Sequence, residues 1–389
     1  METLSKYYTK QNFSRLLVSF IRHENPCHVL DLGAGDGSLL KAAYERWGNA
    51  AFYAVDIDIH SSRNIKNKLP FANFYQIDGL RENISKNTKL KIGSIDIAVC
   101  NPPYKILERD IKTNQTLYDA KLLNTAKLPL LTSDIVFLAQ NLLMLKDGGE
   151  LGIILPDGLF SGERYRAVRE DILNRHKILG IIELPDGIFN KTEAKTHILL
   201  LEKGGTTSPI IPLYKSNRNG EIEDTLNVDS NDLLYRMDYS YNIWRHQNIN
   251  DVNKQTLRSI NAEIKRGKRS KKELEKLEIQ YFHTKSFSKN NNIINFKKQN
   301  SLINDTVAKP GDILIARVGK RCLGRVAIVH AGYQVISDCV FRLRVRKEFR
   351  QEIFDALNSD FGQNWLKAHS HGVCSKFISK SDLLNFPIK

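Results

Sequence analysis

Apolar positions follow two rhythms along the first half of the chain. Phe13 to Ile21 repeats at helical spacing and predicts a short helix. Val29 and Leu30 begin a strand that runs into Asp31-Leu32-Gly33-Ala34-Gly35-Asp36-Gly37-Ser38, and Leu39 to Trp47 reads as the next helix. Ala51 to Val55 predicts a strand ending at Asp56, and Asn73 to Ile77 a short strand ending at Asp78. Ile95 to Cys100 is a further strand, delivering Asn101-Pro102-Pro103-Tyr104 to the sheet edge. The two prolines make a continued ladder strand implausible there. Asp110 to Lys127 is polar with broken periodicity and reads as a mobile or partly helical insertion. Asp134 to Leu145 predicts a helix closed by Lys146-Asp147-Gly148-Gly149. Leu151 to Pro156, Ile178 to Leu184 and Thr196 to Leu201 are the remaining strands, with a helix at Tyr165 to Leu173. Strands alternating with helices predict an α/β class.

Ligands of open α/β sheets bind outside the carboxyl ends of the strands. Asp31, Asp56, Asp78 and Asn101 each stand at such an end, so they are expected to line one crevice. Strand, glycine-rich turn and helix bring a ligand close to bare backbone. An acid at the tip of the second strand can accept both hydroxyls of a ribose. Taken singly, each acid is also an ordinary turn residue, and the tetrapeptide at Asn101 an ordinary turn. Asn101 offers an amide oxygen, its loop offers free carbonyls, and Tyr104 offers a ring for stacking, a set suited to a planar amino group. Phe189 lies on a loop between two strands, either facing the same edge or packed in the core.

The second half differs. Glu202 to Asn242 reads as a polar connector with short strand-like pieces such as Ile210 to Leu213. Lys254 to Ile279 is highly charged and reads as a basic helical connector. Residues 310–346 are β-rich. The charge is lopsided: residues 1–260 hold 33 Lys and Arg against 31 Asp and Glu, whereas residues 261–389 hold 25 against 12. A near-neutral body with a strongly basic second part suggests a module for a polyanion. The run Lys265 to Lys272, with Lys268 and Arg269, could grip phosphates or form a solvated helix face. Arg342, Arg344 and Arg346 alternate with apolar residues, so period two puts them on one face, either a phosphate-facing strip or an exposed sheet face. The five cysteines have no CxxC spacing and propose neither a metal site nor a disulfide framework. The amino terminus does not read as a signal peptide, and no apolar run has membrane-spanning length, so the expected compartment is the cytoplasm.

The motifs together resemble the class I S-adenosylmethionine-dependent methyltransferases, and within them the DNA adenine-N6 enzymes of gamma-type motif order. Tyr8-Thr9 resembles the segment contacting the methionine end of the cofactor, Asp31 to Gly37 with Gly33 and Gly35 the cofactor loop, and Asp56 the ribose acid. Ile57 resembles the residue against the cofactor's adenine, Asp78 the acceptor of its amino group, and Phe137 an aromatic lining its pocket. Asn101 to Tyr104 resembles the catalytic Asn-Pro-Pro-Tyr, and Phe189 an aromatic that packs on the flipped target base. The loop has Asp31-Leu32-Gly33 where many gamma enzymes have Asp/Glu-Pro-Ala, a departure towards the general methyltransferase pattern. Lys309 to Gly319, Gly324 to Val329 and the ending His371 to Ile388 resemble target recognition domains of type I restriction specificity subunits. Those subunits usually hold two such domains; this chain has one.

The resemblance implies a Rossmann-like class I methyltransferase sheet with helices on both faces over residues 1–240, plus an α+β DNA-recognition domain over 241–389. It implies S-adenosylmethionine as cofactor, no metal, and double-stranded DNA as substrate, methylated at adenine N6 by base flipping. Asn101 and the Pro102 carbonyl would accept the two amino hydrogens, with Tyr104 and Phe189 stacking on the base. Lys268, Arg269, Arg317, Lys320, Arg321, Arg342, Arg344 and Arg346 would contact DNA. A cognate restriction endonuclease is a further candidate partner, and the expected state is a monomer or homodimer away from membranes. Two alternatives stay open: a methyltransferase acting on RNA or protein glutamine, whose motifs share Asn-Pro-Pro-Tyr, and a non-catalytic DNA-binding subunit with a vestigial methyltransferase body.

Overall fold

The apolar runs of the first half become the strands of one twisted sheet. The computed structural model describes residues 9–58, 65, 67–189, 195–248, 255–288, 292–297, 305–319, 321–372 and 376–388. The backbone divides into two units, Met1–Asn242 and Ile243–Lys389.

In the first unit, β1 (His28–Leu32), β2 (Ala51–Asp56), β3 (Ala72–Gln76) and β4 (Ile95–Cys100) precede a small ribbon of β5 (Ile106–Leu107) and β6 (Leu131–Thr132). They are followed by β7 (Leu145–Pro156), β8 (Lys177–Glu183), β9 (Thr196–Glu202), β10 (Ile210–Ser216) and β11 (Ile222–Asp229). The main sheet runs β11-β10-β8-β9-β7-β4-β1-β2-β3. Strands β3, β2, β1, β4 and β7 are parallel, and β9 inserts antiparallel between β7 and β8. Every residue of β4 is buried, as a central strand covered on both faces requires.

The helices Gln11–Ser19 and Ser38–Trp47 share a core with one face, where Leu17, Leu40 and Trp47 meet Val29, Ile97 and Val99. Gly152 of β7 lets the helix Gln11–Ser19 approach the sheet closely. A Cβ there would stand 2.5 Å from the Leu17 side chain. The helix Ser133–Met144 covers the other face, its Asn141 reaching Cys100, the neighbour of Val99 in the alternation of β4.

One stretch differs from expectation, and a second takes the helical alternative. The connector after Glu202 is part of the sheet: β10 pairs parallel to β8, and β11 returns antiparallel to it. Ile211 and Leu213 of β10 and Leu226 and Val228 of β11 are buried at every second position, and in β11 the intervening residues Thr225, Asn227 and Asp229 are polar and mask the pattern. The insertion after Asp110 holds an ordered helix, Ile111–Asp119, begun by an Asp110–Thr113 capping box.

In the second unit, β12 (Glu263–Arg266), β13 (Tyr281–Phe282), β14 (Ile293–Asn295), β15 (Val307–Ala308), β16 (Ile313–Ala316), β17 (Val326–Ala331), β18 (Gln334–Ile336) and β19 (Val340–Arg344) form two sheets, β12-β19-β16-β17-β14 and β13-β18-β15. Both faces of β16 are covered. Ile313 and Ile315 pack with Phe341, Leu343, Trp365 and Phe386, while Leu314 and Ala316 pack with Phe282, Phe287 and Ile336. The helices Arg350–Asn358 and Asp360–Ala368 contribute to the first of these cores.

The expected basic helix over 254–279 is corrected. Residues 263–266 are β12, antiparallel to β19, and among the described residues of this stretch only Lys271–Lys276 is helical, capped by Ser270 with Glu273. The strand wins because Ile264 is buried against Leu343, while Gly267 lets two backbones meet. A Cβ on Gly267 would stand 2.2 Å from the Ser337 carbonyl oxygen and 2.3 Å from that of Ile336. Gly267→Ala is therefore expected to destabilise this unit by about 1–3 kcal/mol through forced backbone movement. Urea unfolding followed by tryptophan fluorescence reads the loss, and an unchanged midpoint would show that the strands part without cost.

Candidate active site

The carboxyl ends of β1, β2 and β4 are neighbours in the sheet, because β1 pairs with both β2 and β4. Their terminal residues therefore converge. A pocket is lined by Thr9, Asp31, the loop Gly33–Asp36, Ser38, Leu39 and Asn101. Gly33 opens the loop at φ +84°, a left-handed conformation that costs a side-chain-bearing residue free energy. The Phe137 ring lies over it: a Cβ on Gly33 would be 3.4 Å from that ring, and one on Gly79 3.1 Å. Gly79, next to Asp78, was not marked by periodicity; its flanking position behind a strand-end acid was the available signal.

Asp56 is tied to the glycine loop. Its carboxylate accepts the Gly35 N–H at 2.8 Å and the Asp58 N–H at 2.8 Å. Ile57 beside it is 48% exposed. Asp78 is partly buried and accepts the Leu80 N–H at 3.0 Å. Asp31 is different. It is buried, and neither carboxylate oxygen has a hydrogen-bond partner among the described residues. Burial, with Asp56 and Asp36 nearby, pushes its carboxyl well above the ordinary carboxylate range. An orphaned buried acid lining a pocket suits a cationic donor, such as an α-amino group. Together with the bare backbone at Gly33 and the apolar wall of Phe137, the residues present fit S-adenosylmethionine.

Asn101 is held by its neighbours. Its Nδ2 donates to Thr9 Oγ1 at 3.0 Å, and its Oδ1 accepts the Tyr104 hydroxyl at 3.0 Å. The same hydroxyl lies 3.2 Å from the Ile154 carbonyl oxygen, which anchors the ring to β7. Ser133 clamps the far side of the loop. Its hydroxyl donates to the Pro103 carbonyl and accepts the Lys105 N–H at 2.8 Å, while its own N–H donates to the Lys105 carbonyl at 2.8 Å. Sequence reasoning missed Ser133, because its link to the Pro103–Lys105 backbone is tertiary. It also missed the neighbouring Asp134, whose carboxyl burial pushes up to about 6.

A second missed cluster stands at the ends of β7, β8 and β9. Lys195 Nζ is 2.9 Å from Glu183 and 3.6 Å from Asp157, and His197 Nε2 is 3.0 Å from Asp157. Burial opposes ionisation of both carboxyls, yet Lys195 holds each below the ordinary range. Among the described residues no group of His, Cys, Asp and Glu could hold a metal ion, and no helix is long and apolar enough to cross a membrane.

Several sequence expectations are corrected. Phe189 is 4% exposed and packs with Leu184, Ile188 and Ile198 in the core, so it presents no face to a base. Arg342 is 6% exposed, donating to the Val307 carbonyl and Glu263. Period two did put Arg342 opposite Phe341 and Leu343, but that face is covered by the strand bearing Val307. Arg344 makes a two-point pair with Asp312 at 2.7 and 2.8 Å. Arg346, beyond the strand, is exposed beside Glu348. Arg269 pairs with Asp305, and Arg317 lies over Phe341 and Phe377 while donating to the Asp338 carbonyl. Lys268 and Arg321 are exposed. Tyr8 and Lys320 lie outside the described residues.

The strand order, with reversed β9 between β7 and β8, and the pocket at the ends of β1 and β4 define a class I S-adenosylmethionine-dependent methyltransferase fold. The N-6 DNA Methylase family matches residues 2–298, and the chain belongs to that family. It is similar to the type I restriction enzyme MpnII methylase subunit of Mycoplasma pneumoniae, 24% identical over 218 residues, covering 51% of this chain and 40% of that protein. It is also similar to the type II methyltransferase M.BsuBI of Bacillus subtilis, 26% identical over 231 residues, covering 52% of this chain and 44% of the relative. The chain thus aligns with less than half the length of either. Among solved structures, the type IIG restriction endonuclease BpuSI shares the fold with a TM-score of 0.53 at 13% identity, over 97% of this chain and 57% of that one.

Asp31 generates a pH test. Its folded pKa is raised, so stability present at low pH is lost as pH climbs from the ordinary carboxylate range through the folded value. Asp31→Asn cannot ionise. The difference in Tm between this variant and the parent, both without cofactor, is expected to turn increasingly in favour of the variant as pH rises above about 4. A difference that stays flat from pH 4 to 9 would mean the carboxyl ionises without penalty. The variant should also bind S-adenosylmethionine more weakly, by calorimetry.

Proposed function

We propose that this protein transfers a methyl group from S-adenosylmethionine to the N6 amino group of adenine in duplex DNA. The observation that carries this reading is the Asn101 carboxamide, fixed between Thr9 and Tyr104 at the rim of the pocket containing Asp31. The bound cofactor supplies an electrophilic methyl group on a sulfonium. Asp31 would meet its amino group, Asp56 its ribose hydroxyls, and Ile57, Asp78 and Phe137 its adenine. Thr9, occupied by the Asn101 nitrogen, leaves the amide oxygen as the group turned to substrate. That oxygen has two lone pairs, so it can accept an amino hydrogen while keeping the Tyr104 hydroxyl. The Pro102 carbonyl would take the second hydrogen. Two acceptors draw the amine towards tetrahedral geometry and free its lone pair for attack. The proton then displaced leaves through the same acceptors to solvent. Positioning and oriented dipoles account for the rate; no strongly basic group is needed.

A paired adenine does not expose its amino group to such a rim, so the base must leave the stack. The second unit, with net +13 over residues 261–389, is read as the DNA-recognition part. With Arg342 and Arg344 engaged in internal pairs, Lys268, Arg321 and Arg346 are the stronger candidates for phosphate contacts. Affinity should fall steeply with salt. A restriction endonuclease partner belongs to this reading as well, as does a cytoplasmic location.

Sequencing DNA from cells expressing the chain, with modified adenines identified, tests the reading directly; unmodified DNA together with methylated RNA or protein would replace it. Asn101→Ala is expected to keep cofactor binding and lose nearly all turnover, at roughly 3 kcal/mol or more of transition-state stabilisation. Turnover within a few-fold of the parent would remove Asn101 from the reaction. Tyr104→Phe keeps the ring and removes the hydroxyl. It is expected to lower kcat by about ten-fold with little change in cofactor affinity, since one neutral positioning hydrogen bond is lost.

A further inference from the structure

Four of the twelve large apolar side chains exposed among the described residues, Ile106, Ile111, Tyr118 and Leu123, fall between Lys105 and Lys127, directly after the Asn101 loop. Scattered exposed apolar residues need no explanation, but a concentration of them beside a site does. Ile106 is 70% exposed and stands two residues past Tyr104. It is also rigidly held. Its strand β5 pairs with β6 through Ile106↔Thr132 and Leu107↔Leu131, and the adjoining Lys105 backbone makes both hydrogen bonds to Ser133. Alternation along this ribbon sends Leu107 partly inwards and Ile106 out to solvent.

We propose that Ile106 is a wedge that enters the DNA base stack beside the target adenine and holds the gap open while the base sits at Asn101. The inference rests on the methyltransferase reading above. A wedge needs a stiff mounting, an apolar tip and a place next to the receiving pocket, and Ile106 has all three. Isoleucine is among the side chains that unstack base steps in this way. The surrounding segment fits a duplex better than an apolar protein face. Residues 105–127 carry five Lys and Arg against three Asp and Glu, so the apolar tip has a basic surround. Ile111, 87% exposed, and Tyr118 share one face of the helix Ile111–Asp119 and would flank the opened strand.

Ile106 is thus a positioning residue, and its signature is a dependence on whether the target base is paired. The test uses the full chain and two duplexes carrying the site identified by sequencing. In one the target adenine faces thymine; in the other it faces an abasic position, where little unpairing remains to be done. Ile106→Ala and Ile106→Ser are compared with the parent and with Ile111→Ala. The expected result is that the ratio of methylation rates, abasic duplex over paired duplex, rises by about ten-fold or more in the Ile106 variants, with unchanged S-adenosylmethionine affinity. With 2-aminopurine at the target position, the fluorescence rise on binding the paired duplex should shrink correspondingly. An unmoved ratio overturns the wedge, whether both rates hold or both fall together as for a merely structural residue. A ratio moved by Ile111→Ala alone also overturns it. So does a change confined to the oligomeric state, which would make the segment a protein contact. If the parent methylates neither duplex, the functional reading fails first, and the wedge falls with it.

Discussion

An amide can present its oxygen to a substrate only if something else holds its nitrogen. In this chain Thr9 does so for Asn101, and the Tyr104 hydroxyl, braced on the Ile154 carbonyl, fixes the oxygen from the other side. The rest of the first unit serves that arrangement. β4 must be buried on both faces to set Asn101 at a defined height, and Pro102 and Pro103 must end the strand there. Ser133 then closes the loop against the helix that covers the sheet's second face. Residues nearly a hundred positions apart along the chain meet in a few hydrogen bonds. The Asn101 amide is thus fixed by the fold itself, which the proposed use of oriented dipoles requires.

The pocket beside it carries tension of the opposite kind. Asp31 is buried without a hydrogen-bond partner among the described residues, and its neighbours Asp36 and Asp56 are acids. Such a group is costly to ionise, and a cationic ligand beside it, as the proposed function requires, would relieve that cost. Asp56, by contrast, has each carboxylate oxygen engaged by one backbone N–H, of Gly35 and of Asp58. It holds the glycine loop in shape, a role compatible with also receiving a ribose, since each carboxylate oxygen has a second lone pair.

The second unit solves a different problem. Its central strand β16 is apolar on both faces, and two separate cores cover it. Polar side chains caught between these layers must be paired inside. The buried Arg342 and Asp312 meet the half-exposed Glu263 and Arg344 respectively for that reason, and these pairs fasten β19 to its surroundings. A high net positive charge therefore does not mean that each arginine faces a polyanion. Part of the charge is structural, and the part left for phosphate is smaller than composition suggests.

Local pattern by itself determined where the strands end, and with them Asp31, Asp56, Asp78 and Asn101. Strand ends in a parallel sheet share an edge by geometry, so residues far apart in sequence could be assigned to one crevice; the pocket is lined by Asp31 and Asn101, while Asp56 and Asp78 are not among its lining residues. The pattern also placed Phe137 on a helix; its place beside the pocket was implied by the resemblance, and its contact with Gly33 appears only in the structure. It could not say what lies over a given face. Phe189 and Arg342 were each assigned to a plausible side, but the layer that buries them comes from elsewhere in the chain. The charged stretch near Gly267 has helix-forming composition. It became a strand because Ile264 and Gly267 gain more from packing on β19 and Ser337 than the local helix offers. Periodicity reports which residues point the same way; only the tertiary structure decides what they meet, because burial and pairing are set by partners distant in sequence.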